Sequence, residues 1–446
     1  MSLRQLRTWW AAGLAVLAVG AGTPTVAQQS PGAAAQPQGA QLPAGAEQPR
    51  RGGGAGGGGG GRPQTQPLGD GPWDVTTEQA HIHVTVVTRE LQNPWGLAFL
   101  PNGDMLVTER PGRLRIVRGG VLDPTPLEGM PTIRAASIGG LQDVVLHPNF
   151  RRNQLVYFSY SKPDAQDEKL SSLAVARGRF DGGGALEDVE DIFVAKDWYS
   201  AAMSTENGRC CGQGPSDASF GARMAFGRDG TLYVASGDRN WGEKAQEPSS
   251  HLGKILRISD DGKVPRDNPF VGKQGYLPEI YTLGHRNPTG LTINPANGEI
   301  WSTEFGPRGG DELNRIEAGK NYGWILVTHG NRYNNDPVAR GAENVPGMTD
   351  PVLFWVPSTN PGNIAFYTGN ELPGWRGNLL MAAMSRALVR ISFDAAGKPV
   401  GQERLLSDLG QRFRDVRQGP DGAVYLLTDE RSGAVLKIEA QSPDGA

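Results

Sequence analysis

The sequence predicts an all-β protein, a six-bladed β-propeller made of four-stranded antiparallel sheets. Two observations lead to this fold class, the amino-acid composition and an internal repeat. The 446 residues include 63 glycines and 33 prolines, a composition that disfavours long helices and favours many short strands joined by turns. The 44 Lys and Arg residues balance 47 Asp and Glu residues, so we expect no nucleic-acid partner.

The internal repeat is a sequence pattern that occurs six times. It consists of a turn with Asp or Asn and Gly, an apolar strand, a polar cluster, and a strand that ends in a basic residue and Ile. The copies are PNGDMLVTER…GRLRIV, GRDGTLYVASGDR…GKILRI, PANGEIWSTEFG…ELNRI, GWRGNLLMAAM…ALVRI, GPDGAVYLLTDE…AVLKI and the looser HPNFRRNQLVYFSYS…LAVARGRF. Small sheets of this kind bury their faces by stacking radially, as in a propeller. A β-sandwich is the alternative.

The N-terminal part of the chain has a different composition. Residues 1–27 carry Arg4 and Arg7, an apolar run, and small residues that suit a signal peptidase, so we predict a signal peptide. The alternative, a membrane-spanning helix, needs a run of ~20 apolar residues. Residues 28–72 are rich in Gly, Pro, Ala and Gln and are predicted to be a disordered linker. The propeller is therefore expected over 73–446, in a periplasmic or secreted protein without a transmembrane segment in its mature form.

Two adjacent cysteines, Cys210 and Cys211, are the only ones in the sequence. An exported protein meets an oxidising compartment, so we expect the two thiols to pair. Neighbouring residues can pair only as a strained eight-membered ring. Two free buried thiols, or a metal site that needs further ligands, are the alternatives.

Three long motifs resemble one known family. They are YTLGHRNPTGL at 281–291, TEFGPRGGDELNRIEAGKNYGW at 303–324 and RFRDVRQGPDGAVYLLTD at 412–429. They are similar to the soluble quinoprotein glucose and aldose dehydrogenases, the glucose/sorbosone dehydrogenase family, and the resemblance runs over about 85–440. It implies a six-bladed propeller that binds pyrroloquinoline quinone (PQQ) and calcium, oxidises a sugar or related alcohol, and passes electrons to a periplasmic acceptor.

The resemblance also implies a cofactor site. The quinone carries three carboxylates, which the forked donors of guanidinium groups suit. The family holds its cofactor at positions that match Arg286, Asn287, Arg412 and Arg414. For Arg412 and Arg414 the alternative is a solvated pair at the end of a strand.

Calcium prefers several oxygen ligands, including backbone carbonyls. By resemblance, the carbonyls of Gly306 and Pro307 would hold the ion that touches the cofactor. Asp311, Glu312 and Tyr322 match residues that bind further calcium ions in the family. The alternative is an ordinary acidic turn with a tyrosine in the core.

The sequence departs from the family at four positions near the chemistry. Ser219 stands where the family has its catalytic histidine, and Ala218 stands where the glucose enzymes have a carboxylate. Ile138 replaces a glutamine, and Met384 or Ser385 replaces a lysine that binds the cofactor. Serine is no base near neutral pH, and losing a general base costs ~10²- to 10⁴-fold in rate.

Asp217, two residues before Ser219, is the candidate for a substitute base. The resulting hypothesis is a dehydrogenase of this family with an altered catalytic pocket. Two alternatives remain open: a catalytically inactive propeller that binds a carbohydrate or a partner, and a calcium-dependent hydrolase or lyase.

Overall fold

The computed structural model describes residues 66–200, 203, 210–212, 217–338 and 345–441. The predicted signal peptide and residues 28–65 of the predicted linker lie outside this range. The described residues form six antiparallel sheets, of which five have four strands and one has five. The six-bladed propeller predicted from the sequence is confirmed.

The first three blades follow one another along the chain, and each runs from its inner strand outwards. Blade 1 is β3 (Pro94–Phe99), β4 (Met105–Glu109), β5 (Arg113–Arg118) and β6 (Val121–Leu122). Blade 2 is β7 (Leu141–Leu146), β8 (Leu155–Pro163), β9 (Ser171–Arg179) and β10 (Glu187–Val194). Blade 3 is β11 (Gly221–Phe226), β12 (Leu232–Ser236), β13 (Lys254–Ile258) and β14 (Ile280–Leu283).

Blades 4 and 5 have the same order of strands, whereas blade 6 adds two N-terminal strands to three C-terminal ones. Blade 4 is β15 (Pro288–Ile293), β16 (Ile300–Glu304), β17 (Asp311–Ile316) and β18 (Leu353–Trp355). Blade 5 is β19 (Pro361–Phe366), β20 (Leu379–Ala383), β21 (Ala387–Phe393) and β22 (Pro399–Leu405). Blade 6 is β23 (Phe413–Gln418), β24 (Val424–Thr428), β25 (Gly433–Ala440), β2 (His81–Leu91) and β1 (Trp73–Thr76).

Helix is scarce in the described residues, as the composition predicts. It is confined to α1 (Phe150–Asn153) and four short 3₁₀ turns, at Cys210–Gly212, Gly242–Gln246, Pro373–Trp375 and Ser407–Leu409. In the part of the chain that the structure describes, no helix has the length and apolarity needed to cross a membrane.

The ring closes by joining the two ends of the chain. Strand β2 pairs antiparallel with β25, from Ile82 opposite Ala440 to Leu91 opposite Gly433. Blade 6 therefore combines N-terminal with C-terminal strands, and it cannot come apart without losing a long ladder of hydrogen bonds. The apolar core lies between neighbouring blades, where one sheet face packs on the next.

Each copy of the sequence repeat supplies the second and third strands of one blade. In blade 3, for example, GRDGTLYVASGDR covers the turn before β12 and β12 itself, and GKILRI covers β13. The turn glycine of this copy, Gly230, has φ of +80°, a conformation that glycine adopts readily. The repeat in the sequence therefore corresponds to the hairpins of the blades.

A buried ion-pair network fills the propeller axis. Arg223 on β11 is fully buried, and its Nη1 lies 3.0 Å from Asp143 Oδ1 on β7 and 3.4 Å from Asp415 Oδ2 on β23. Arg417 bridges the same two carboxylates at 3.0 and 3.1 Å. Opposite charges with further hydrogen bonds can be buried in this way, whereas removing one partner is costly. The network ties three of the inner strands together and closes the floor of the channel.

All six inner strands are irregular where they begin. In β7, Leu141 pairs with Tyr160 and Val144 pairs with Phe158, so the inner strand has one more residue than its partner over this step. The same extra residue occurs in the other five inner strands. A β-bulge re-aims the side chains beside it. The consequence is a ring of bulges at the channel mouth, with some side chains facing the axis and others facing the space above it.

The described end of the predicted linker lies against the propeller. Gln411 Nε2 donates to Gln66 O at 2.6 Å, and Arg89 Nη1 donates to Leu68 O at 3.1 Å. Leu68 also packs against an apolar cluster of the core. Residues 66–68 therefore contact the folded domain.

Candidate functional site

A cavity of about 220 Å³ lies above the axial network, at the mouth where the inner strands begin. Three guanidinium groups face it, those of Arg286, Arg412 and Arg414. Arg286 precedes the inner strand of blade 4, whereas Arg412 and Arg414 lie at the start of the inner strand of blade 6. The ring arrangement of the blades brings the three together, and the cavity therefore suits an anionic ligand.

Arg412 and Arg414 share one buried carboxylate. Asp429 Oδ2 lies 2.8 Å from Arg412 Nη2, and Asp429 Oδ1 lies 2.9 Å from Arg414 Nη2. Burial alone would raise the pKa of Asp429, but the two guanidiniums hold that pKa below its ordinary value. Burial lowers the pKa of Arg414 to about 10, which still leaves it charged at neutral pH. Two cations with one anion between them leave a net positive charge at the cavity wall.

Arg286 and Asn287 form another part of the wall. The Arg286 backbone N donates to Glu304 Oε2 at 2.6 Å, and its Nη1 donates to Gly306 O at 2.9 Å. Asn287 Oδ1 accepts from Gly221 N at 2.9 Å, so a ligand would meet the Nδ2 donor of this carboxamide. All four residues predicted to hold the cofactor thus line one cavity.

The positions at which the sequence is predicted to depart from the family line the same cavity, with the exception of Ser385. Ile138, the adjacent pair Ala218 and Ser219, and Met384 all face it, although they come from three distant parts of the sequence. Ser385 is not among the lining residues; its Oγ accepts from Arg404 Nη2 at 3.1 Å. The structure thus brings these four positions together, and a pocket that is remodelled relative to the family stays a prediction.

Ser219 is buried, at 3% exposure, and has φ of +53°. Its hydroxyl donates to Asn240 Oδ1 at 3.1 Å. Asp217 is close in sequence but does not line the cavity; its Oδ2 is 2.9 Å from Arg134 Nη2 and its Oδ1 is 3.4 Å from Arg239 Nη2. To accept a proton from a substrate, Asp217 would have to leave one of these ion pairs and turn towards the cavity. Its role as a substitute base remains a prediction.

The residues proposed for calcium lie in and after the loop between β16 and β17. Asp311 is fully buried, and its Oδ1 accepts from Gly306 N at 2.9 Å. Its Oδ2 accepts from Ser358 Oγ at 2.6 Å and from Asn360 N at 2.8 Å. In this conformation Asp311 shapes the loop that presents the Gly306 carbonyl to Arg286.

Glu312 pairs directly with Glu304 across β16 and β17. Asn314 Nδ2 donates to both carboxylates, at 3.1 Å to Glu312 and 2.9 Å to Glu304. Burial and the neighbouring Glu304 raise the pKa of Glu312 well above its ordinary value. Tyr322 Oη donates to Arg315 O, so its hydroxyl is already in use. Among the described residues, no group of three or more His, Cys, Asp or Glu side chains is placed to hold a metal ion.

Cys210 and Cys211 lie in a 3₁₀ turn, with their two sulfur atoms in contact. They pack with Trp324, Ala245 and Val338 in a small apolar cluster. Cys211 O accepts from Tyr333 N at 3.0 Å, and Tyr333 lines the cavity. The cysteine pair does not line the cavity itself, but it supports the lining residue Tyr333 through this backbone hydrogen bond.

Several residues of the site do not follow from the sequence. Trp95, Phe220 and Phe305 supply aromatic surface to the cavity, and Gln142 supplies a carboxamide. Asp429 is the shared partner of two cavity arginines. The acidic end of the motif at 412–429 is a signal for Asp429, because a buried guanidinium pair needs an anion nearby.

The fold and the cavity define a class of protein: a β-propeller suited to bind a small anionic ligand at the mouth of its central channel. The sequence profile described as Glucose / Sorbosone dehydrogenase matches residues 91–437. The chain therefore belongs to the glucose/sorbosone dehydrogenase family.

Individual relatives agree with this assignment. The chain is 38% identical over 367 residues to an aldose sugar dehydrogenase of Escherichia coli (strain K12), covering 81% of this chain and 94% of the relative. A crystal structure of a glucose dehydrogenase is 42% identical with a TM-score of 0.74, covering 80% of this chain and 99% of that one. The PQQ-bound aldose sugar dehydrogenase of Streptomyces coelicolor is 26% identical with a TM-score of 0.60, covering 81% of this chain and 99% of that one.

Proposed function

We propose that this protein is an exported oxidoreductase that binds pyrroloquinoline quinone and calcium, oxidises an aldose sugar or a related alcohol, and passes the electrons to a periplasmic carrier. The observation that carries the proposal is the convergence of Arg286, Arg412 and Arg414 on one cavity in a chain of this family. Three guanidiniums match the three carboxylates of the quinone in number and in hydrogen-bonding geometry.

The rest of the cavity also fits a flat anionic ring system. Trp95, Phe220 and Phe305 offer aromatic surface, and the Arg414 guanidinium lies 5.8 Å from the Trp95 ring centre. Asp429 holds Arg412 and Arg414 in place before any ligand arrives, so little side-chain ordering is needed on binding. When bound, the quinone supplies the two-electron acceptor for hydride from the substrate.

Calcium is proposed at the loop between β16 and β17. Asp311 fixes this loop through Gly306 N, which orients the Gly306 and Pro307 backbone as candidate carbonyl ligands. Glu304 and Glu312 lie opposite each other, and the buried Asn314 Oδ1 has no hydrogen-bond partner within the described residues. Oxygen atoms crowded in this way suit a hard divalent cation. Asp311, Glu312 and Tyr322 stay candidates for further calcium ions.

Within the described residues, the cavity lacks a group that could take the proton from the substrate hydroxyl. Its described lining contains no carboxylate, imidazole or amine, so no ordinary base lies there to take the hydroxyl proton. Ser219 can donate or accept a hydrogen bond to a substrate hydroxyl, but it cannot act as a base at neutral pH. This lining favours slow turnover, and it also supports a second candidate function, a propeller that binds its cofactor or a carbohydrate without turnover.

The proposal is tested by titrating purified apoprotein with pyrroloquinoline quinone, with calcium and with a chelator. We expect saturable binding at micromolar cofactor that depends on calcium. Absence of binding with calcium present would refute the quinoprotein function. Bleaching of the bound quinone's absorbance by a sugar or alcohol would then identify a dehydrogenase, and binding without reduction over the whole panel would favour the non-catalytic propeller.

The disulfide and the export are proposed on separate grounds. The contact between the Cys210 and Cys211 sulfur atoms supports a vicinal disulfide, and the N-terminal sequence supports export. An oxidising compartment would favour both features together.

A further inference from the structure

Gln142 occupies an unusual place on the cavity floor. It belongs to β7, where the bulge between Leu141 and Val144 breaks the regular alternation of side chains. Its neighbour Asp143 faces the axis and pairs with Arg223. Gln142 instead lines the cavity.

The buried carboxamide oxygen of Gln142 has no hydrogen-bond donor among the described residues. The residue is 3% exposed, and Oε1 is buried without a hydrogen-bond partner within the described part of the chain. A buried carbonyl oxygen left in this state costs about 1–3 kcal/mol, and native proteins keep few of them. Because no described protein group supplies the donor, a molecule in the cavity must supply it: water when the site is empty, or a bound ligand that displaces that water.

The backbone around Gln142 is fixed, so a small shift of the strand cannot satisfy the oxygen. The Thr108 hydroxyl donates to Gln142 O, and Gly96 N donates to Thr108 Oγ1 at 2.9 Å. On the other side, Asp143 N donates to Ser159 Oγ at 3.0 Å. These bonds hold the backbone of Gln142 in place, and its side chain lines the cavity.

Among the described lining residues of the cavity, the charged groups are all guanidiniums, which donate hydrogen bonds and call for acceptors on the ligand. The same ligand must also carry a donor for Gln142 Oε1. Pyrroloquinoline quinone has carboxylates for the guanidiniums and one N–H group, on its pyrrole ring. A sugar also carries donors, but the exposed side of the cavity, where Tyr333 is 40% exposed, is the side open to a substrate, whereas Gln142 is 3% exposed. Gln142 lies at the buried end, next to the axial residue Asp143.

Building on the proposed function, we propose that Gln142 is a cofactor-binding residue whose Oε1 accepts a hydrogen bond from the pyrrole N–H. This role falls to a residue four positions after Ile138, where the family's glutamine is missing. It makes the floor of the cavity selective for a ring that carries an N–H donor as well as carboxylates.

The test measures the affinity of apoprotein for pyrroloquinoline quinone, in the presence of calcium, by calorimetric titration. We expect Gln142→Leu to raise the Kd about 3- to 10-fold, the range for a neutral hydrogen bond. Gln142→Glu should raise it further, because it adds an anion close to the cofactor's carboxylates. Gln166→Leu, at an exposed glutamine away from the cavity, is the matched control and should leave the Kd unchanged.

Thermal unfolding of the apoproteins gives a second readout. We expect Gln142→Leu to melt at the same temperature as the wild type or higher, because Oε1 makes no hydrogen bond to the described part of the fold that the substitution could remove. A lower melting temperature would show that Gln142 serves the fold and would overturn the inference. An unchanged Kd, or a change confined to the KM of the sugar, would also overturn it while leaving the proposed function standing. Failure of the wild type to bind the cofactor would refute both.

Discussion

Asp429 lies 2.9 Å from Arg414 Nη2 and supports that guanidinium from behind the cavity wall, with the Asp429 side chain 2% exposed and the Arg414 side chain 9% exposed. The same carboxylate holds Arg412. The relationship links stability to binding, because one buried anion keeps two cations in place in the absence of any ligand. Two kinds of variant can therefore be compared: one that removes a cation, at Arg414, and one that removes the anion supporting it, at Asp429.

Replacing Arg414 by Ala should weaken cofactor uptake by about 1.5–3 kcal/mol, the usual contribution of a hydrogen bond to a charged group. Titration of apoprotein with pyrroloquinoline quinone and calcium measures this directly. Arg315→Ala provides the control, since Arg315 is exposed and pairs with Glu299 away from the cavity. Equal affinities for the wild type and Arg414→Ala would remove Arg414 from the binding site.

Replacing Asp429 by Asn should lower the free energy of unfolding at pH 7 by about 3–5 kcal/mol, since it leaves the buried Arg414 and the partly buried Arg412 without their anion. The guanidiniums lower the folded-state pKa of Asp429, so its contribution is present above the unfolded pKa of about 3.9 and is lost as the pH falls through the folded value. Urea unfolding of both proteins should therefore show a difference that is largest at pH 7 and narrower near pH 3. A difference that stays constant with pH would show that the ion pairs do not cause it.

The fold could be predicted from the sequence because the blades are built from local signals. The turn before β12, for example, contains Asp229 and Gly230, and a run of apolar residues follows it. The closing pair of β2 and β25 could not be predicted in this way, because no local pattern states which distant strands will meet. Ring closure is a property of six blades together.

The site could be predicted in part, because some of its residues lie in local sequence motifs. Arg286, Arg412 and Arg414 lie in the motifs that resemble the family, and the structure brings them to one cavity. Gln142 could not be found, because strand alternation gives no sign of a bulge, and the bulge decides where its side chain points. Asp217 illustrates the opposite difficulty, since its closeness to Ser219 in sequence does not reveal its ion pairs with two arginines.

If the protein is exported as proposed, Cys210 and Cys211 should be joined. Mass spectrometry under non-reducing conditions should then find the mature chain lighter than its reduced form by the mass of two hydrogens. Reduction should also loosen the neighbouring wall, because Cys211 O holds Tyr333 N, and this would appear as faster hydrogen exchange at Tyr333. Complete alkylation of both cysteines without a reductant would show that they are free thiols.

Ser219 lines the cavity and is predicted from the sequence to stand where the family has its base, so its replacement should reveal whether that base has simply been lost. In that case the wild type should turn over common aldoses slowly even with cofactor bound, and Ser219→His should raise kcat by about 10²-fold or more, the contribution of a general base. The imidazole would replace the hydroxyl that now donates to Asn240. If Asp217 acts instead, Asp217→Asn should abolish the activity of the wild type, and Ser219→His should bring no gain.

Steady-state assays of the wild type, Ser219→His and Asp217→Asn with an artificial electron acceptor, over a panel of sugars and alcohols, distinguish the two cases. Because Asp217 also pairs with Arg134 and Arg239, a melting temperature for Asp217→Asn must accompany its assay, so that lost activity is not mistaken for lost folding. No turnover by any of the three, with the cofactor shown to be bound, would identify a propeller that keeps its cofactor site without the reaction.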